Sequence, residues 1–110
     1  MFILSTQNMV GVNVTGCLTA PDGTEQPFDF VLQCERLDAA ELEKVTGPDS
    51  TETAGAFFAR VTKGWLRVYD EAKQELAFSQ ESLAQVLKIP GLARLAFHAY
   101  LQEVRAREKK

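Results

Sequence analysis

Two stretches of alternating apolar and polar residues flank a strong turn signal near the start of this 110-residue chain. Alternation with a period of two places the apolar side chains on one face of a β-strand. The stretches span residues 9–19 and 26–35, and Ala20-Pro21-Asp22-Gly23-Thr24 between them favours a turn. The pattern predicts an antiparallel β-hairpin centred near Asp22. Two strands alone are marginally stable in water, so we expect a third strand, with residues 2–5 as a candidate, or a helix to cover the apolar face.

Helix signals dominate the rest of the chain. Asp38 is placed to cap a short helix that Gly47-Pro48 ends, and a second start signal lies at Asp49-Ser50-Thr51-Glu52. We expect Gly64 to stop this second helix. The stretch that follows, residues 65–78, begins with β-prone residues and continues into a charged turn.

Two further helices are expected near the carboxyl end. Ser79 is placed to cap a third helix, which Pro90-Gly91 breaks. The last helix runs from about Leu92 to beyond Val104. We therefore predict an α+β fold: an N-terminal antiparallel β-hairpin or small sheet followed by about four helices. The chain is expected to form a single domain over residues 1–110, β-rich over 1–36 and mainly helical over 37–110.

Composition and charge exclude several classes of protein. Hydrophobic residues make up 45% and charged residues 25%, as in an ordinary globular domain, and no apolar run approaches the roughly 18 residues that cross a bilayer. The first residues lack the basic region of a secretory signal. Residues 1–62 hold three basic and nine acidic groups, whereas residues 63–110 hold nine basic and six acidic groups. This asymmetry is compatible with head-to-tail self-association or with two partners of different charge, but we favour the simpler interpretation of ordinary solvated surfaces.

The two cysteines are expected to be reduced. In the predicted hairpin, Cys17 faces a residue near position 27 or 28 rather than Cys34. Cys17 is also out of phase with the apolar residues of its strand, whereas Cys34 is in phase with those of its own, so the thiols lie on different faces. A disulfide requires the two Cα atoms to lie within about 7 Å.

No catalytic, metal or cofactor site is expected. His98 is the only histidine, and no Cys-x-x-Cys or glycine-rich phosphate loop occurs. The pair Asp70-Glu71 lacks the spacing of a calcium loop. We therefore do not expect an enzyme.

Two features could serve protein binding. The apolar stripe of the last helix is wider than one buried face requires, so this helix is central to the core or part of an interface. The stripe contains Leu92, Leu95, Ala96, Phe97, Ala99, Tyr100, Leu101 and Val104. Trp65, the only tryptophan, is either a partner anchor or, as we favour, a core residue that fills the gap between the second helix and the hairpin.

The order of these elements resembles the tail assembly chaperones of long-tailed bacteriophages and prophages. The resemblance covers roughly residues 28–105 and is strongest from Gly64 to Tyr100. Its elements are individually weak, and their order carries the match. They are the hairpin, Arg36-Leu37-Asp38-x-x-Glu41-Leu42, Gly64-Trp65, the turn at Asp70-Glu71, Phe78-Ser79-x-x-x-Leu83-x-x-x-Leu87-x-x-Pro90-Gly91, and a helix with Ala99-Tyr100. Where the family usually has a glycine after the acidic pair, this chain has Ala72-Lys73-Gln74-Glu75, so no role is transferred to that turn.

The resemblance implies a non-catalytic chaperone that binds the helical tape measure protein and recruits tail tube subunits. Such a protein works in the cytoplasm of the bacterial host and is absent from the finished virion. The surplus apolar width around Phe97, Tyr100 and Leu101 is the candidate binding surface, with Arg94 and Arg105 as its charged rim. Trp65 is a further candidate contact.

Two other functions are compatible with the sequence. A structural or completion protein of a phage tail would stay in the particle, but a tube protein needs more strand than this chain offers. A small nucleic-acid-binding regulator would use the basic last helix, although its positive charges are diluted by Glu103 and Glu108. A nucleic acid partner is therefore not expected, and neither is a membrane.

Overall fold

A computed structural model describes residues 8–70 and 72–105. It confirms an α+β fold in which a three-stranded antiparallel sheet combines with four helices. The elements in chain order are β1 (Met9–Thr19), β2 (Glu25–Glu35), α1 (Ala39–Thr46), α2 (Ala54–Val61), β3 (Thr62–Leu66), α3 (Gln80–Leu87) and α4 (Leu92–Val104).

The hairpin forms where the alternation predicted it. Thr19 pairs with Glu25, so the turn is centred on Asp22, and Gly23 adopts a φ of +87° that glycine accepts without strain. The side chain of Asp22 accepts hydrogen bonds from the backbone N–H and the hydroxyl of Thr24. The turn therefore sets one unbroken register along both strands.

The cysteines lie on opposite faces, as expected. Cys17 pairs with Pro27 and is exposed, whereas Cys34 pairs with Val10 and is buried. Both thiols are free. Cys34 lies 3.6 Å from the hydroxyl of Thr62, the other polar group at this point in the core.

The third strand comes from within the mainly helical part of the chain. Strand β3 pairs antiparallel with β2, with Gly64 opposite Gln33 and a register shift next to it. The expectation that Gly64 stops a helix is wrong, because α2 ends at Val61 and the chain continues directly as a strand. The stretch proposed as a third strand, residues 2–5, lies outside the described residues.

The N-caps of α1 and α3 are the predicted residues, whereas the N-cap of α2 lies further along the chain than predicted. Asp38 and Ser79 each accept a backbone N–H in the first turn of α1 and α3. The N-cap of α2 is instead Thr53, whose hydroxyl accepts from the N–H of Ala56, after the signal expected at residues 49–52. The N-cap of α4 is Gly91, which has a φ of +82° and supplies no side-chain hydrogen bond.

One hydrophobic core joins the sheet to the helices. The inward face of the sheet supplies alternate residues of β1 and β2, and the helices cover it. Three aromatic rings meet edge to face at its centre, with Phe57 5.2 Å from Phe58 and 5.0 Å from Tyr100 between centroids. No helix of the described ranges is long and apolar enough to cross a membrane.

Candidate partner-binding surface on helix α4

Helix α4 presents one face to the core and the opposite face to solvent. Its buried residues recur at every fourth position and are Leu92, Ala96, Tyr100 and Val104. This row packs mainly against β1 and α2. With about 100° between successive residues, the row covers an inward face about 120° wide, and the exposed residues of α4 lie on the opposite side.

Four of the six candidate residues lie along one flank of α4, with Arg105 directly after its last residue. Arg94 and Arg105 are exposed, and Phe97 and Leu101 between them are half-buried. Spacings of three and four residues bring these side chains within an arc of about 100°. We call the set Arg94, Phe97, Leu101 and Arg105 the α4 stripe. It places two partly accessible apolar side chains between two cations.

The two apolar residues of the α4 stripe each contact the core on one side. The ring of Phe97 meets Phe57 edge to face, with centroids 5.3 Å apart, so one side of Phe97 belongs to the contact with α2. Leu101 also packs partly against the core. A partner can therefore cover the remaining surface of both side chains without a rearrangement of the helix.

Tyr100 does not belong to this surface. Its side chain is fully buried, and its hydroxyl is held by the backbone of the segment that follows β2. Burial raises the pKa of the phenol above its ordinary value, although the hydrogen bond from Leu37 opposes the shift. The assignment of Tyr100 to the binding surface is corrected: it is a core residue.

Trp65 is a core residue, as the sequence favours, but its hydrogen bond and ring contact are with the 67–78 segment rather than across a gap between α2 and the hairpin. It is 8% exposed, its indole N–H donates to the carbonyl of Leu76 at 2.8 Å, and its ring meets Phe78 edge to face at 5.2 Å. Its inward neighbour across the sheet is Leu32. Trp65 therefore fastens the 67–78 segment to β3 rather than offering its ring to a partner.

A second accessible apolar region lies on the other flank of α4. A cleft of about 230 Å³ opens between the hairpin and the turn that joins α3 to α4. Leu18 and Leu95 at this cleft are 41% and 39% exposed. Sequence reasoning counted Leu95 in the wide stripe but did not connect it with Leu18, because only the fold brings β1 above α4.

Reactive groups are not assembled into a site in the described residues. His98 is exposed on α4, and no group of three His, Cys, Asp or Glu side chains in residues 8–70 and 72–105 could hold a metal ion. The buried Cys34 lies against Thr62, and burial raises the pKa of its thiol to about 11. This shift keeps the thiol protonated and therefore poorly nucleophilic at neutral pH.

Comparisons of the chain with protein families, with curated proteins and with solved structures return no match.

Proposed function

We propose that this chain is a non-catalytic tail assembly chaperone of a long-tailed phage or prophage, which binds the tape measure protein and helps to recruit tail tube subunits. The proposal rests on the order of elements that resembles this family and on the α4 stripe. The stripe has the form that a helix-in-groove contact uses, since two apolar anchors lie four residues apart between charged positions. It would act in the cytoplasm of the bacterial host and leave before the virion is complete.

The α4 stripe is the observation that carries the proposal. Phe97 and Leu101 would pack against the apolar stripe of a tape measure helix. Arg94 and Arg105 would pair with acidic residues beside it, which sets orientation and association rate more than affinity. The inward face of α4 is used by the core, so partner binding would draw on the flank that carries the α4 stripe.

Co-expression with the tape measure protein of the same phage or prophage tests this function. The wild-type chain should keep that protein in the soluble fraction and co-purify with it. Arg94→Glu together with Arg105→Glu changes two exposed residues and should weaken binding about tenfold or more. The matched control, Lys44→Glu with Lys88→Glu, reverses two exposed charges outside α4 and should bind normally.

An apolar variant separates binding from folding. Leu101→Asp should abolish co-purification, whereas Gln102→Asp at the exposed neighbouring position should not. Circular dichroism must show that both variants are folded. A tape measure protein that stays insoluble with the wild-type chain, or equal binding by both charge-reversal pairs, would contradict the proposal.

The alternatives make different predictions for the same material. A structural or completion protein would be found by mass spectrometry in purified tails, whereas a chaperone would be absent from them. A nucleic-acid-binding regulator would use the cations of α4, and its affinity would fall steeply with salt. The absence of a DNA shift at low salt would exclude that reading.

A further inference from the structure

Among the described residues, no strand pairs with the outer edge of β1, which we call its free edge. Strand β1 lies at one side of the three-stranded sheet and is 11 residues long. Its backbone hydrogen bonds to β2 alternate along the ladder. Ala20 donates to Thr24 and Arg36 donates to Asn8, so the bonded positions of β1 are even-numbered. The N–H and C=O groups of its odd-numbered residues, Met9 through Thr19, therefore point towards the free edge.

The other described edges carry the features that prevent strand addition. Strand β3 has only five residues, includes Lys63 and pairs with an irregular register. The part of β2 beyond β3 contains Pro27, and Asp29 there is paired with Arg67 at 3.3 Å. Short length, proline, charge and irregularity are the usual protections of an edge.

Strand β1 has none of these protections. It contains no charged residue and no proline, and its register with β2 has no shift. No hydrogen bond among the described residues occupies its odd-numbered backbone groups. A long, uncharged edge of this kind is a template for another strand.

Three exposed apolar residues lie on β1 or beneath it. Five large apolar side chains are exposed in the described chain, and two of them, Met9 and Leu18, lie on β1. A third, Leu95 on α4, lies directly under Gly16, since a Cβ added to that glycine would be 3.0 Å from Leu95 Cδ2. Strand addition at this edge would therefore cover apolar surface beneath the sheet as well as satisfy backbone groups.

We propose that β1 pairs antiparallel with β1 of a second copy of this chain, which gives a two-fold dimer with a continuous six-stranded sheet. An uncharged strand can face itself without repulsion, and a two-fold axis makes the antiparallel direction automatic. Full overlap places Val14 on the axis. It sets Asn13 opposite the partner's Thr15, Gly11 opposite the partner's Cys17, and Val10 opposite the partner's Leu18.

This pairing keeps every side chain on its present face. Odd-numbered residues meet odd-numbered residues on the exposed side, and even-numbered residues meet on the core side, so the two apolar layers become continuous. The inference does not depend on the proposed function. It also differs from head-to-tail association, which would let assemblies grow with concentration, whereas a two-fold dimer stops at two chains.

Sedimentation velocity with a matched pair of variants tests the interface. The wild-type chain should sediment with twice the mass of one chain and grow no further. Asn13→Lys with Thr15→Lys places lysine opposite lysine twice across the axis and should raise the dimer dissociation constant about tenfold or more. Asn13→Glu with Thr15→Lys differs only at position 13, places opposite charges together, and should remain a dimer.

A cysteine cross-link tests the register. Gly11→Cys is sterically acceptable, because its Cβ would lie 3.5 Å from Val31 Cγ1. Across a bonded antiparallel pair, the new thiol would lie opposite the partner's Cys17 at a Cα separation of about 5.5 Å, within the range of a disulfide. Oxidation should therefore yield a covalent dimer, and Cys17→Ser in the same background should prevent it.

Three results would overturn the proposal: a monomeric wild-type chain, open-ended growth of mass with concentration, or a dimer that both charge variants preserve. A dimer without the Gly11→Cys cross-link would refute the fully overlapping register.

Discussion

The hydroxyl of Tyr100 accepts a hydrogen bond from the backbone N–H of Leu37 at 3.1 Å. It also donates to the carbonyl of Glu35 at 2.8 Å, and Arg36 Nη1 donates to the carbonyl of Val104 at 2.7 Å. The last turns of α4 are thus joined to the segment that connects β2 with α1. Because these hydrogen bonds hold the inward face of α4 against the rest of the fold, that face is not available to a partner.

Tyr100→Phe should destabilise the chain by about 1–3 kcal/mol, because it leaves the buried N–H of Leu37 and the carbonyl of Glu35 without the hydroxyl. Urea unfolding measures the loss. Tyr69→Phe removes a hydroxyl from a side chain that is 55% exposed and should change stability by less than about 0.5 kcal/mol. Equal effects of the two substitutions would show that the hydroxyl of Tyr100 contributes nothing specific.

The chain should lose stability in alkaline solution. Burial raises the pKa of Cys34 from 9.0 to about 11, so the unfolded chain releases this proton at lower pH than the folded chain. The contribution of the protonated Cys34 thiol to the free energy of unfolding is complete below pH 9.0. It falls by about 2–3 kcal/mol as the pH rises to about 11. The raised pKa of Tyr100 acts in the same direction.

Unfolding free energies measured from pH 8 to pH 11 check this dependence. Cys34→Ala should be less stable than the wild-type chain at pH 8 but should show a shallower alkaline decline. An unchanged slope in Cys34→Ala would contradict the assignment.

Two threonines near the start of α2 should differ in their contribution to stability. Thr53→Ala removes the hydroxyl that accepts from Ala56 and should cost about 1 kcal/mol. Thr51 lies in the start signal that the sequence indicated but is exposed and outside the cap, so Thr51→Ala should have little effect. Thermal unfolding of the two variants decides which residue is the cap, and a larger loss for Thr51→Ala would contradict the structure.

Two glycines should respond differently to a methyl group. A Cβ at Gly16 would lie 2.8 Å from Phe28 Cζ and 3.0 Å from Leu95 Cδ2, so Gly16→Ala should cost about 1–3 kcal/mol. A Cβ at Gly64 would lie 2.6 Å from Gln33 Oε1, the end of an exposed, flexible side chain that can move aside. Gly64→Ala should therefore be much milder in urea unfolding, and the reverse order would be inconsistent with the packing described.

Local signals predicted much of the fold. The hairpin register follows from alternation and one turn, and the caps at Asp38 and Ser79 need only neighbouring residues. The start of strand β3 was placed too late, at residue 65, because a glycine such as Gly64 can either end a helix or lie within a strand, and only its pairing with Gln33 distinguishes the two. Such pairing is a contact between distant parts of the chain and leaves no periodicity of its own.

The candidate surface shows the same limit. Periodicity showed that α4 has more apolar width than one face needs, but it could not tell core residues from exposed ones. Tyr100 is core because its hydroxyl meets backbone groups 63 and 65 residues earlier in the chain. Leu95 and Leu18 meet at one cleft for the same nonlocal reason.

Trp65→Phe should loosen one segment and leave the rest of the fold intact. The substitution removes the indole N–H that donates to Leu76, while a phenyl ring still fills much of the space beside Phe78. Most of the other hydrogen bonds given for the 67–78 segment lie inside it, such as the bond from the N–H of Leu76 to the carbonyl of Val68 and the bridge between Tyr69 and Glu75. Arg67 also pairs with Asp29 on β2. Hydrogen exchange should therefore accelerate within this segment, by about fivefold to tenfold for a lost contribution near 1 kcal/mol. Exchange in the β1–β2 hairpin should stay at the wild-type rate, so uniform acceleration across the chain would mean that Trp65 supports the whole core rather than this segment.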